Sequence, residues 1–532
     1  MTTTSGPSPS TAAKAPRDSR LDFFRGMAMF IILLAHTPGN TWTLWIPARF
    51  GFSDATEIFV FCSGMASALA FGAVFTKRSW FMGAARIALR VWQVYWAHIG
   101  VFLATATMLF AIDYFGLGLE GKRYITAPYV VPLFERTGEA LVGLLSLTYV
   151  PGLFDILPMY LVILAMVPMV MALHRVGGRP AVFGFIALVW LAANLAGYAR
   201  NAGEETELNT LQAAAAALGA RFEWMMLPSN PFGRGTWFFN PFGWQIVFFT
   251  GFAFAMKWLP APPVRRWLVI SAAAYVLLVV PFAWFKIHKG IYLPGDWMLA
   301  AWISDTRALT GPLWWKSWVG VLRFVHFLAL AYLAWVAVGP KGVRLSKGFR
   351  PRGAPPRAVL LAAGAVVLLT LPYTYIGEIK ALSPALSGWL FDNFPTVDGR
   401  RIGLIQLGHL VALMIVVWAA IGARARAWLS RDLVRMAVPV IRKVGTQSLA
   451  VFMVSIPLAR FNGWVLDMIG RDVWTRAAVN LAGFAVLIAV AYVVSWFKSQ
   501  PWRAQPPAPA ATEQQPGAAD GRGQPRLAAM RA

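Results

Sequence analysis

Past its opening Arg20, the apolar run RLDFFRGMAMFIILLAH holds three residues able to do chemistry, Asp22, Arg25 and His36. The 11 positions from Arg25 to His36 bring both side chains within about 20° of one helix face and set them about 16 Å apart along the axis. Asp22 lies three residues before Arg25 and is close enough to pair with it. A lone imidazole deep in an apolar run, with an ordinary pKa of about 6.5, can serve as a general base. The plainer alternative is a buried histidine bonded to a neighbouring helix. For Asp22 and Arg25 the alternative is a pair that anchors the helix at a membrane surface. Gly26 leaves room for another backbone to approach.

The next run, GFSDATEIFVFCSGMASALAFG, opens with Asp54 and Glu57 on one face. Two carboxylates there can orient a histidine or hold a hydroxyl, or simply favour a helix start. Its Ser63, Gly64, Ala66 and Ser67 read as a helix-packing surface. The third run, ARIALRVWQVYW, places Arg86, Arg90 and Gln93 on one face. Paired guanidiniums suit phosphate groups; alternatively they mark the basic side of a membrane. Arg323 and His326 stand three apart at the head of a later run.

The elements that position these groups follow from composition. The chain has 532 residues, 58% hydrophobic and only 13% charged. Soluble globular chains run about 45–50% apolar and about 25% charged, so an ordinary soluble enzyme is excluded. A helix needs about 20 apolar residues to cross a bilayer. Twelve runs qualify or nearly do: 24–36, 54–75, 86–112, 155–173, 181–198, 243–258, 267–285, 321–338, 358–375, 403–421, 447–466 and 477–497. The first is short and is expected to extend toward Trp45. Segment 140–150 is too short to span and reads as re-entrant or interfacial. The expected fold is all-α, a polytopic membrane helical bundle of about 12 transmembrane helices (10–12). Its membrane domain covers 21–498, with disordered cytoplasmic tails at 1–20 and 499–532.

The net charge of +25 fixes an orientation. With both termini inside, the inner segments hold 30 basic and five acidic residues, and the outer ones 18 of each. That asymmetry is the positive-inside pattern. Nucleic-acid binding would need one soluble basic patch, so it is excluded as a partner. The single cysteine, Cys62, forbids a disulfide within the chain, and no HxxxH or HExxH pattern occurs, so no metal site is expected. His98 and His409 read as satisfied core residues, and Gln447 and Ser448 as a helix cap. The outer loops are rich in Trp, Tyr, Phe, Asn and Gly. They read either as interfacial aromatic belts or as a platform for a sugar.

RLDFFRG…H, then FSDATEIFVFCSG, then R-x-x-x-R resemble the transmembrane acyltransferase superfamily. More closely, RLDFFRGMAMFIILLAHTPG, GFSDATEIFVFCSGMASALAFG, LFDILPMYLVIL, FNPFGWQIVFFTG and VGTQSLAVFMVS resemble the OpgC family, named for an osmoregulated periplasmic glucan succinyltransferase. The resemblance implies an acyl-CoA-dependent O-acyltransferase of the bacterial inner membrane. Cytoplasmic acyl-CoA, succinyl-CoA first among the candidates, would be the donor and co-substrate, with no permanently bound cofactor. A periplasmic glucan hydroxyl would be the acceptor. His36 matches the family's histidine, as general base or acyl carrier, with Asp54 and Glu57 in the catalytic neighbourhood. Asp22, Arg25, Arg86 and Arg90 match positions that would hold acyl-CoA. The R-x-x-x-R spacing departs from the R-x-x-R frequent in the superfamily. Asp155, Asn240 and Gln245 lie in matched blocks as acceptor-site candidates. A competing reading is a transporter or flippase for an oligosaccharide or lipid-linked sugar. Transporters usually show internal repeats and broken helices, and no repeat is evident here.

Overall fold

A computed structural model of the chain describes residues 18–503, apart from 127–128, 203–208, 292, 294–296, 352, 376–378, 381 and 394–398. The expected tails therefore fall almost wholly outside the described residues. Helix accounts for 79% of the structure, and among the described residues no strand forms.

The main helices are α1 (Ser19–His36), α2 (Ala55–Ser67, continued by a π-turn to Lys77), α3 (Trp80–Tyr114) and α4 (Ile156–Ala202). Then come α5 (Pro241–Ala255), α6 (Arg266–Ala283), α7 (Val321–Val338), α8 (Arg357–Thr374) and α9 (Gly399–Ala420). The last are α10 (Leu433–Thr446), α11 (Ser448–Ile469) and α12 (Val473–Ser499). Among the described residues, eight helices are long and apolar enough to cross a membrane, or nine if the bent pair formed by α9 and the segment 423–446 counts as one span. The chain is thus an all-helical, multi-pass membrane protein.

Local sequence sets the helix ends. Asp18, Asp54, Ser79, Asn240 and Asp472 cap α1, α2, α3, α5 and α12 with side-chain oxygens. The expected extension of the first span toward Trp45 does not occur. Pro38 cannot continue the helix and disfavours it at the preceding residue, and Gly39 turns the chain with φ 69°. His36 is thus the last residue of α1. The segment read as re-entrant contains a ten-residue helix, Thr137–Ser146.

Helix α4 is 47 residues long, which if straight would reach about 70 Å, twice a bilayer core of about 30 Å. It breaks at Gly178, with φ 64° and ψ −157°. At one end Asp155 accepts from the Phe239 amide, and Asn194 donates to the Trp318 carbonyl. At the other, His174 stacks on Trp258. Asn240 and Ser317 are hydrogen-bonded neighbours, so 155 and 194 share one end and the chain doubles back.

Glycines bring backbones together around the core. A Cβ at Gly64 would lie 1.9 Å from the Phe248 carbonyl oxygen, and one at Gly251 would lie 2.1 Å from that of Phe61. Helices α2 and α5 therefore pack backbone to backbone, as small residues permit. Gly26 meets Ile441 and Gly445 meets Asp22 in the same way, locking α1 to α10. Trp244, Phe248, Phe249 and Phe252 fill the centre. On the periphery, Leu277, Leu361 and Leu368 on α6 and α8 stay exposed, as lipid-facing helices require.

Candidate active site

Helices α1 and α11 run parallel. At one end the Arg25 guanidinium donates to the Ser448 hydroxyl. At the other, Pro38 packs on Gly463. Between these ends lie an arginine end and a histidine end.

At the histidine end, the His36 Nδ1–H donates to the Ile32 carbonyl over 2.8 Å. That bond fixes the tautomer, leaving the lone pair on Nε2, the atom a general base needs. Lys316, Arg460 and Asp54 are among the charged groups that act on this imidazole.

Asp54 and Glu57 are brought together, in a manner their spacing announced. Asp54 accepts from the Thr56 amide while Glu57 Oε2 accepts from the Asp54 amide at 2.8 Å, a reciprocal capping box. The helix start is not solvated, however. Glu57 is 0% exposed, and its Oε1 accepts from Arg323 at 2.7 Å. Asp54 pairs with Lys316. Arg323 also donates to the Trp314 carbonyl. One turn on, His326 Nδ1 accepts from the Ser53 amide at 3.3 Å and lies 2.8 Å from its hydroxyl. Gly51 leaves the space this ring occupies, since a Cβ there would be 2.2 Å from Cε1. The i, i+3 spacing of Arg323 and His326 was the available signal for this cluster. Lys316 and Arg460 carried none, because the groups they act on, Asp54 and His36, are far away in the chain.

The acceptor candidates sit inside helix packing. Asn240 caps α5 through the Phe242 and Gly243 amides and donates to the Met225 carbonyl. Gln245 donates to the Ile186 carbonyl, and its Oε1 has no partner. Asp155 holds the Phe239 amide through Oδ2, leaving Oδ1 without one. All three are buried: Gln245 ties α5 to α4, Asp155 ties the start of α4 to the residue pair before α5, and Asn240 ties the start of α5 to the turn at Met225.

An open cavity of about 490 Å³ does lie at this end, between His288, Lys289, Arg307, Trp314 and Trp315. The Arg307 guanidinium lies 4.1 Å from the Trp314 ring centroid, and Trp314 in turn stacks on Phe52, two residues before Asp54. Burial, with Arg307 and Lys289 alongside, pushes His288 down to about 4, so it is neutral at pH 7. A second cleft, about 520 Å³, is lined by Ile31, Leu34, Trp42 and Trp45. Ile31 and Leu34 are roughly 140° and 160° round the helix from His36, so that cleft is on the far face of α1.

At the arginine end, Arg25 is held by Ser448 and Asp22 is buried one turn away. Ser448 and Gln447 make no cap hydrogen bond. Their side chains are used sideways instead, by Arg25 and by Lys498, which donates to Gln447 at 2.7 Å. Arg90 donates to Gln93, the partner its spacing implied, at 3.2 Å. Arg86 rests 5.7 Å from the Phe71 ring centroid. Arg90 acts electrostatically on Lys498. Arg25, Arg90 and Lys498 thus belong to one cationic region. Among the described residues no group of three metal-ligating side chains forms. His409 is satisfied by Thr370 at 2.9 Å, whereas Nε2 of His98 has no partner.

The family model described as OpgC protein matches residues 17–352 and 344–499. Neither a curated protein nor a solved structure matches the chain.

Proposed function

The chain belongs to the OpgC family, and from that premise we propose that it is a membrane O-acyltransferase. It moves an acyl group, succinyl, from cytoplasmic acyl-CoA to a hydroxyl of a periplasmic glucan. The observation that carries this reading is His36: its Nδ1–H is committed to Ile32, which leaves the lone pair on Nε2, and the charges of Lys316, Arg460 and Asp54 act on the ring.

In this reading the arginine end faces the cytoplasm, where the basic excess of the loops belongs. Arg25, Arg86 and Arg90, with Asp22 orienting α1, receive the CoA phosphates. The thioester then reaches the roughly 16 Å along α1 to His36. His36 Nε2 takes the proton of the acceptor hydroxyl as its oxygen attacks the thioester carbonyl. The tetrahedral intermediate collapses, the C–S bond breaks, and the CoA thiolate leaves with the proton from the imidazolium. Asp54 and Glu57, fixed by Lys316 and Arg323, hold that end rigid and charged. The glucan lies in the cavity formed by Trp314, Trp315 and Arg307, whose ring faces suit a sugar. Asp155, Asn240 and Gln245 support this end from within.

The test is mass spectrometry of periplasmic glucans from cells with and without the gene. Loss of the acyl mass at constant glucan amount is expected. Loss of the glucan itself would replace this reading with transport.

A further inference from the structure

The register of α1 against α11 places one more cation beside His36. Arg25 and Ser448 are 423 positions apart, and Pro38 meets Gly463 at an offset of 425. Arg460, 424 positions from His36, is therefore level with the imidazole, and it is among the charges acting on it.

Arg460 differs from its neighbours in what holds it. Lys316 has Asp54, and Arg323 has Glu57. Two turns further along α11, Asp467 is shared by Lys122 and Arg471 and accepts from the Tyr124 hydroxyl at 2.8 Å. Arg460 is only partly exposed, its Nε has no hydrogen-bond partner, and among the described residues no carboxylate pairs with it. A guanidinium within a membrane helix is expensive and marks function by default. Its fork suits one group above others, a carboxylate bound through two parallel hydrogen bonds. The CoA phosphates belong to the other end of α1, about 16 Å away, and a neutral sugar brings no charge. What remains is the acyl group itself.

We propose that Arg460 binds the distal carboxylate of the acyl group carried to His36. It thereby makes the protein selective for the monoacyl group of a dicarboxylic acid over a neutral acyl group. This rests on the acyltransferase reading and adds to it the residue that sets donor specificity.

The full-length protein in nanodiscs would be assayed for transfer to a glucan oligosaccharide from succinyl-CoA, from its methyl half-ester and from acetyl-CoA. Wild type should prefer succinyl-CoA over the neutral half-ester by about 100-fold in kcat/KM, the scale of one desolvated charge pair. In R460Q the succinyl-to-acetyl ratio should fall about 100-fold, and R460K should restore part of it. Equal rates with succinyl-CoA and its half-ester in wild type would overturn the proposal even if no variant folds. So would R460Q lowering succinyl and acetyl transfer alike, which is what a structural or oxyanion role gives. A folded wild type that transfers from no acyl-CoA would remove the acyltransferase reading itself, and this inference with it.

Discussion

At the histidine end, Glu57 is sealed from solvent, with Arg323 on one oxygen and the Asp54 amide on the other. At the arginine end, Arg86 lies exposed against a phenylalanine ring and Arg90 reaches only an exposed glutamine. Both ends are rich in charge, but the physics differs. Buried charges cost several kcal/mol each to desolvate and persist only when matched. Exposed ones are screened, entropically free and cheap. The first end is therefore suited to fixed geometry around a reacting centre. The second is suited to catching a polyanion and letting it go.

The sharpest way to break this contrast is to unpair the buried end. Glu57→Ala, which strands Arg323, should cost about 3–5 kcal/mol of stability, read as a lowered melting temperature in detergent. Replacing both partners, Glu57→Leu with Arg323→Met, should recover most of that loss. A double variant as unstable as the single one would mean that the pair is not the locking element.

The open end should behave oppositely. Arg86→Ala and Arg90→Ala should each raise the donor KM about tenfold, equivalent to about 1.4 kcal/mol, with an unchanged melting temperature. Binding of the glucan, measured separately, should not move. The smallest effect belongs to the cap that starts the same helix. Ser79→Ala, which strips the Met82 amide of its acceptor, should cost about 1 kcal/mol and leave the donor KM alone.

How much of this was legible in the sequence follows the same division. Asp54 and Glu57 stood three apart, so spacing announced a shared face at a helix start; that the two cap it reciprocally came from the structure. Gly26 and Gly64 announced close packing, though not with which helix. The pair of glycines at 177 and 178 sits where the span pattern had already divided 155–173 from 181–198. What no local pattern held was the pairing of Glu57 with Arg323, 266 positions away, or of Arg25 with Ser448 at 423. Those contacts are made by the bundle. Asn240 and Gln245 carried the opposite lesson. Polar residues at helix ends read as acceptor contacts, and backbone groups take part of their capacity: Asn240 is held by the Phe242, Gly243 and Met225 backbones, and the Gln245 amide donates to Ile186 while its Oε1 has no partner.

His36 Nε2, in the proposed mechanism, moves the acceptor proton. His36→Ala in nanodiscs removes that base, and acyl transfer from succinyl-CoA to a glucan oligosaccharide would be followed alongside donor binding and melting temperature. The variant should lose about 10²–10⁴-fold in kcat, the usual range for a general base, with donor binding and melting temperature near wild type. Transfer at the wild-type rate by the folded variant would contradict it.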